Sequence, residues 1–145
     1  MGTQSSSNSA ASLFVFLPRT QYRAGELLEG TVHLKVYRTI KVKSLVFEFT
    51  GRERTFWRQV NDASHYSEQE GKNKLVDVKT DLLTNQELEV GVYEYPFSFT
   101  VPDFLPPSFL YFSDVSKCSV TYKLKAVMKS ALKQIKFTRF MVISA

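Results

Sequence analysis

The sequence of 145 residues has little cysteine, and its apolar runs are short. The one cysteine, Cys118, allows no internal disulfide and supplies too few ligands for a cysteine-based metal site. No apolar run approaches the ~18 residues needed to span a bilayer. The first dozen residues lack the basic region and apolar core of a secretory signal. These absences predict a domain that does not span a membrane and that works in a reducing, cytoplasmic setting.

Motifs for catalysis and metal binding are also missing. Zinc-ligand spacings, a phosphate-cradling glycine-rich loop and a Gly-x-Ser-x-Gly elbow do not occur. The two histidines, His33 and His65, stand in polar surroundings far apart in sequence, and we interpret both as solvated. The aspartates are scattered rather than gathered as calcium ligands. We therefore expect no enzyme activity, no metal and no cofactor.

What the sequence has in abundance is aromatic residues: 12 Phe, 7 Tyr and 1 Trp. These residue types fit pleated, half-buried surfaces. Strict apolar alternation over residues 93–101 and 118–128 predicts strands, and Pro96 places the first of these at a sheet edge. A change of parity near Lys43 and Ser44 predicts a β-bulge. Eight or nine such segments predict an all-β fold, an antiparallel, immunoglobulin-like β-sandwich of two sheets.

The chain divides into a leader and one domain. Residues 1–12 are rich in Ser, Asn and Ala, and we interpret them as a flexible leader before a single domain of residues 13–145. Gly25 predicts a turn, because glycine takes positive φ without steric cost. Residues 61–74 are polar throughout and predict a long exposed loop. The last two strands are expected at residues 118–129 and 132–143.

The net charge of +5 is concentrated in one segment. Residues 115–145 carry seven Lys and Arg and no acidic residue, whereas the rest of the chain has a net charge of −2. The candidate residues for an anionic partner or a membrane surface are Lys123, Lys125, Lys129, Lys133, Lys136 and Arg139. A solvated sheet face, or edge lysines that block aggregation, is the alternative interpretation. The aromatics alternate into a core and form no stacking platform, so no nucleic-acid partner is expected.

The amino terminus carries a pattern for lipid attachment. Residues 1–6, Met-Gly-Thr-Gln-Ser-Ser, fit the N-myristoylation pattern and make Gly2 the acceptor. One myristoyl chain binds a membrane only marginally, so a second signal is required. The basic segment at the other end of the chain is the candidate for that second signal.

Four segments, in this order, resemble the arrestin amino-terminal domain. They are residues 22–34 (Tyr-Arg-Ala-Gly-Glu and Glu-Gly-Thr-Val-His-Leu), residues 46–57 (Val-Phe-Glu-Phe-Thr-Gly-Arg-Glu and Trp57), residues 95–109 (Tyr-Pro-Phe-Ser-Phe-Thr-Val-Pro and Leu-Pro-Pro-Ser-Phe) and residues 120–127 (Val-Thr-Tyr-Lys-Leu-Lys-Ala-Val). The sequences of these segments are most similar to the arrestin-domain-containing, or α-arrestin, branch.

The resemblance implies a non-enzymatic adaptor in membrane-protein trafficking, acting in endocytosis, sorting, signal transduction or ubiquitination of cargo. Its implied partners are cargo receptor tails and trafficking or ubiquitin-ligase machinery, at the cytoplasmic face of the plasma membrane or endosomes. The paired lysines that phosphate-binding arrestins carry on their first strand are absent from residues 13–17. A peripheral membrane module that binds anionic lipid through the basic final hairpin stays open as the alternative function.

Overall fold

The computed structural model describes residues 3–4, 10–60, 65–131 and 133–144, and strands dominate it. The strands in chain order are β1 (Thr3–Gln4), β2 (Ala11–Phe16), β3 (Gln21–Arg23), β4 (Leu27–Val36), β5 (Ile40–Val60), β6 (Tyr66–Leu88), β7 (Gly91–Thr100), β8 (Phe109–Phe112), β9 (Ser116–Ser130) and β10 (Gln134–Ser144). Within the described ranges, no helix is long and apolar enough to cross a membrane. The predicted all-β class is confirmed.

The strands form two sheets. The larger sheet has the order β1-β10-β9-β5-β6, with β8 also paired to β9 and β3 paired to β10. The smaller sheet has the order β2-β4-β7. Strand β9 is central in the larger sheet. One of its edges pairs with β5, and its other edge pairs with β8 along the first part of the strand and with β10 along the second part. The predicted two-sheet sandwich is confirmed.

Aromatic rings join the two sheets in the core. Phe47 of β5 stacks on Phe97 of β7 with ring centroids 3.9 Å apart, and Phe49 meets Phe99 at 5.0 Å. The face of β9 predicted to be apolar is buried from Val120 onward, at Val120, Tyr122, Leu124, Ala126 and Met128. A fully buried Val, Leu, Phe or Met side chain contributes about 1.5–3 kcal/mol to the stability of the folded domain. The buried faces of β5 and β9 therefore hold the two sheets together.

Local features predicted from single residues are also confirmed. Pro96 lies on β7, an edge strand of the smaller sheet. The pairing of β5 with β9 shifts register between Val42 and Ser44, where the bulge was expected. Gly25 has φ of +90° in the turn after β3, and its N–H donates to the Val101 carbonyl at 2.8 Å. The turn and the bulge thus set the residue at which buried and exposed side chains begin to alternate in the strand that follows.

The prediction of a long loop over residues 61–74 is wrong from Tyr66 onward, and its residues 61–64 lie outside the described residues. Strand β6 begins at Tyr66, and it pairs with β5 from the Val60–Tyr66 position onward. The segment lacks apolar alternation because this part of an edge strand has solvent on both faces, so no core selects its side chains. Strands β5 and β6 therefore form one long hairpin.

The predicted boundary between the leader and the domain, at residues 12 and 13, falls inside strand β2. Strand β2 begins at Ala11, and the N–H of Tyr37 donates to the Ala10 carbonyl at 2.7 Å. Thr3 and Gln4 pair with Arg139 and Thr138 of β10. The last residues of the predicted leader thus belong to β2, and flexibility of the leader stays a prediction.

The larger sheet extends beyond the smaller one. We call residues 52–60 of β5, 66–74 of β6, 116–121 of β9 and strand β8 the distal half of this sheet. None of the side chains at positions 52–59 is buried, whereas Phe47, Phe49 and Gly51 just before them are. The distal half therefore keeps its strand pairing with little buried apolar surface.

Candidate functional site

Most of the predicted basic residues lie on the outer face of the larger sheet. On this face, turned away from the core, are Lys123, Lys125, Lys129 and Lys136, each next in sequence to buried core residues. Lys133 is exposed between β9 and β10. Five of the six predicted cations thus lie on the outer face or at its edge.

Arg139 lies on the opposite face. It is in register with the buried Leu124, and its Nη1 donates to the main-chain oxygen of Val15 at 3.3 Å. Val15 belongs to β2 of the smaller sheet, so this guanidinium links the two sheets. The structure does not bring Arg139 together with the lysines.

Acidic neighbours compensate part of the lysine row. Lys125 Nζ lies 3.8 Å from Glu48 Oε2, and Lys79 Nζ lies 3.4 Å from Glu48 Oε1. Lys129 lines a shallow depression together with Glu48 and Asp81. The positive charge of this end of the outer face is therefore partly neutralised within the domain.

A groove of about 480 Å³ crosses the outer face of the distal half. Four cations line it, and we call the site the basic groove: Arg52 and Arg54 of β5, and Lys117 and Lys123 of β9. Strand register sets their spacing, because Arg52 lies opposite Thr121 and Arg54 opposite Ser119. Directly opposite residues have Cβ atoms about 5 Å apart, so each arginine has a hydroxyl neighbour.

The ends of the basic groove are aromatic. Phe140 of β10 lies opposite Lys123, and Phe56 of β5 lies opposite Lys117. Both rings line the groove. The groove thus presents cations and hydroxyls along its length and a ring at each end.

The cations of the basic groove form no ion pair within 4 Å among the described residues, although the charge of Glu48 acts on Lys123 and that of Asp77 on Arg52. Among the described residues, no ion pair involves Arg52, Arg54, Lys117 or Lys123, and Glu70 at the rim pairs with Lys72 at 3.6 Å. Burial, followed by the positive charges of Lys125, Arg52 and Arg54, lowers the pKa of Lys123. An anion that entered the groove would relieve this repulsion.

Three of the four groove cations were missed by the sequence reasoning. Lys117 lies inside the basic segment but was not among the predicted candidates, and Arg52 and Arg54 lie outside that segment. The spacing of two arginines at alternate positions of one strand was the available signal. Their meeting with Lys117 depends on the pairing of β5 with β9, which no local pattern reveals.

The chemistry of the site is that of binding. Its cations and hydroxyls can all donate hydrogen bonds, which suits carboxylate and other oxyanion ligands. No group of three His, Cys, Asp or Glu in the described part of the chain could hold a metal ion. His33 Nδ1 lies 3.6 Å from Glu94 on the smaller sheet, outside the groove. The proposed lipid acceptor Gly2 lies outside the described residues.

A family model and a curated relative point to one family, and a solved structure shares the fold. The model of the family "Arrestin (or S-antigen), N-terminal domain" matches residues 14–145. Arrestin domain-containing protein 17 of Caenorhabditis elegans is 31% identical over 104 residues, which are 63% of this chain and 24% of that protein. The crystal structure of Spo0M, a sporulation control protein from Bacillus subtilis, superimposes with a TM-score of 0.64 at 16% identity, covering 94% of this chain and 50% of that one. The chain thus spans about a quarter of that relative and half of that structure.

Proposed function

Because this chain belongs to the arrestin family, as an arrestin N-terminal domain, we propose that it is a non-enzymatic adaptor in membrane-protein trafficking. Its partners are other proteins, namely cargo tails and the sorting or ubiquitination machinery that acts on cargo. It works in the cytoplasm, at the inner face of the plasma membrane or of endosomes. The family match and the arrestin domain-containing relative support this class of role.

The basic groove is the observation that carries the proposal for this chain. Arg52, Arg54, Lys117 and Lys123 line one groove and form no ion pair within 4 Å among the described residues, so their clustering on one face favours an anionic partner that neutralises them. An adaptor needs a surface that recognises a partner and no reacting groups. The groove provides such a surface on the paired strands β5 and β9.

The test compares two charge reversals on the same strand. Arg52→Glu with Arg54→Glu removes the groove cations of β5, and Lys41→Glu with Lys43→Glu makes the same charge change at the other end of β5. All four side chains are exposed, and each pair is two residues apart. Quantitative mass spectrometry of proteins captured from cell lysate measures the partner set. We expect the groove variant to lose partners that the control variant keeps; equal capture by both would contradict the proposal.

A peripheral membrane role is the second candidate function. The exposure of Lys129, Lys133 and Lys136 around the turn between β9 and β10 favours it, since each cation near an anionic leaflet contributes about 1 kcal/mol. Gly2 acylation would supply the second signal. Intact mass of the protein from its native cell tests the lipid: a mature chain that begins at Gly2 without an added acyl mass removes it.

A further inference from the structure

An apolar cleft adjoins the basic groove at its Phe56 end. Phe56, Leu110, Phe112 and Lys117 line this cleft, whose volume is about 330 Å³. Leu110 and Phe112 of β8 are 61% and 68% exposed. Exposed apolar side chains grouped in this way, beside polar ones, mark interaction surfaces. We call this site the apolar cleft.

The apolar cleft is open because β8 is an edge strand. The Ser113 N–H donates to the Ser116 carbonyl at 2.7 Å. In this antiparallel register the backbone N–H and C=O groups of residues 113, 111 and 109 therefore point toward β9, and those of the residues between them point away from it. Leu110 and Phe112 therefore point their backbone groups away from β9. No strand within the described ranges pairs with β8 on that side. A ligand can enter the cleft from the edge of the sheet.

The basic groove and the apolar cleft form one continuous surface. Phe56 and Lys117 line both of them. From Lys117 to Lys123 the strand β9 advances six residues, which is about 20 Å at the usual rise per residue. An extended peptide of about six residues has the same length. The surface therefore matches a short linear segment in length.

We propose that this surface binds an extended acidic segment of a partner protein, with a bulky apolar residue of that segment seated in the apolar cleft. This inference rests on the proposed adaptor function and names the chemistry of the partner. In an extended chain every second side chain points to the same side. Carboxylates at alternate positions of the segment therefore contact Arg52, Arg54 and Lys123 on the groove floor. Ser119 and Thr121 donate further hydrogen bonds to the same oxygens.

The shape of the surface favours a peptide over a lipid bilayer. Lys123 is half-buried beside Phe140, whereas Arg52, Arg54 and Lys117 are exposed. A flat lipid surface meets only the exposed cations, whereas a narrow segment lying in the groove also reaches Lys123. The apolar cleft at one end adds a position that reads a side chain, which an array of headgroups does not supply.

The test uses two labelled synthetic peptides in a fluorescence-polarisation titration with the whole chain. The first is acetyl-Asp-Glu-Asp-Glu-Ala-Phe, and the second replaces its Phe with Ala. The groove variant is Arg52→Glu with Arg54→Glu, and its charge-matched control is Lys41→Glu with Lys43→Glu. The cleft variant is Leu110→Ser with Phe112→Ser, and its control is Val90→Ser with Val92→Ser, a pair of similar exposure at 66% and 63%. Circular dichroism confirms that each variant is folded.

We expect the groove variant to bind both peptides at least about tenfold more weakly, because charge reversal replaces attraction with repulsion. The cleft variant should weaken the Phe peptide several-fold and leave the Ala peptide unchanged. Both control variants should bind like the unmodified chain. Inorganic phosphate and phosphatidylserine vesicles serve as competing anions, and the Phe peptide should bind in their presence.

Three outcomes would overturn the inference. One is equal binding of the peptides by the groove variant and its control. Another is an equal effect of the cleft variant on both peptides. The third is groove-dependent binding to the vesicles and not to the peptides, which would assign the surface to lipid. If these peptides fail while lysate partners still require Arg52 and Arg54, the adaptor function stands and only this inference falls.

Discussion

Strand β5 runs through two environments that differ in one respect. Its first half, up to Gly51, has the smaller sheet on one face and buries Leu45, Phe47 and Phe49. Its distal half has the same neighbours β6 and β9 but buries none of the side chains from 52 to 59. Backbone pairing therefore continues where the core does not. The stability of the domain lies in the first half, and the side chains of the distal half are available for binding.

The largest expected contrast is between two phenylalanines of β5. Phe47→Ala removes a fully buried ring that stacks on Phe97, and it should lower the free energy of unfolding by about 3–5 kcal/mol. Phe56→Ala removes a half-exposed ring of the distal half and should cost less than about 1 kcal/mol. Urea denaturation followed by fluorescence measures both. Similar losses for the two variants would refute the division into a stabilising half and a binding half.

Two glycines test where the tightly packed part of the larger sheet ends and the distal half begins. A Cβ at Gly51 would lie 2.5 Å from Cε1 of the buried Tyr122 ring and 3.0 Å from Val76 Cγ1. Gly51→Ala should therefore cost about 1–3 kcal/mol through overpacking. A Cβ at Gly71 of β6 would lie 3.9 Å from Thr55 Cβ and 2.5 Å from Thr55 Oγ1, which is the end of a side chain that can rotate.

We therefore expect Gly71→Ala to change stability by no more than about 0.5 kcal/mol, as for other exposed positions. Thermal unfolding of the two variants, monitored by circular dichroism, measures the difference. A larger loss for the Gly71 variant would place the tightly packed region in the distal half, contrary to the burial pattern.

Substitutions of Tyr122 and Tyr22 should show the smallest difference in their effects on the free energy of unfolding. The Tyr122 hydroxyl donates to the Pro106 carbonyl at 2.6 Å, so Tyr122→Phe should cost about 1 kcal/mol. The Tyr22 hydroxyl is buried with no hydrogen-bond partner among the described residues. Tyr22→Phe should therefore leave stability unchanged or raise it, because it removes an unsatisfied polar group. Unfolding in urea at neutral pH compares them.

The same Tyr122 predicts a pH dependence. Burial raises the pKa of Tyr122 from 10.0 to about 12. Since the unfolded chain loses this proton first, the contribution to stability is complete below about pH 10 and is lost as the pH rises toward 12. The Tyr122→Phe variant should lack this component of the alkaline decline. An identical pH profile for the variant would show that Tyr122 does not carry it.

The predictable part of the fold is the part with one buried face. Strands β7 and β9 alternate because the core selects every second side chain, so residues 93–101 and 118–128 could be identified from the sequence. The first part of β6 could not, because solvent meets both of its faces and polar residues fit either one. Polar composition alone does not separate such a strand from a loop.

The candidate site was predicted only at Lys123. Whether Arg52 and Arg54 face the core or the solvent depends on the bulge between Val42 and Ser44, because a shift of one residue exchanges the two faces of a strand. The bulge itself was predicted. The partner strand was not, and so the arginines could not be placed beside Lys117. Pairings between distant strands carry no local signal in a single sequence.

Strand β10 holds together segments from both ends of the chain, which has a consequence for how the protein is made. It pairs with β1 and β3 as well as with β9, so the first strands find their partner only when the last one exists. At about 5–20 residues per second, synthesis leaves β1 without its partner for about 7–26 seconds. The β5–β6 hairpin needs no such partner and can form on the ribosome. Folding of this domain should therefore be complete only once β10 has been synthesised, at the slow rates typical of sheets with distant pairings.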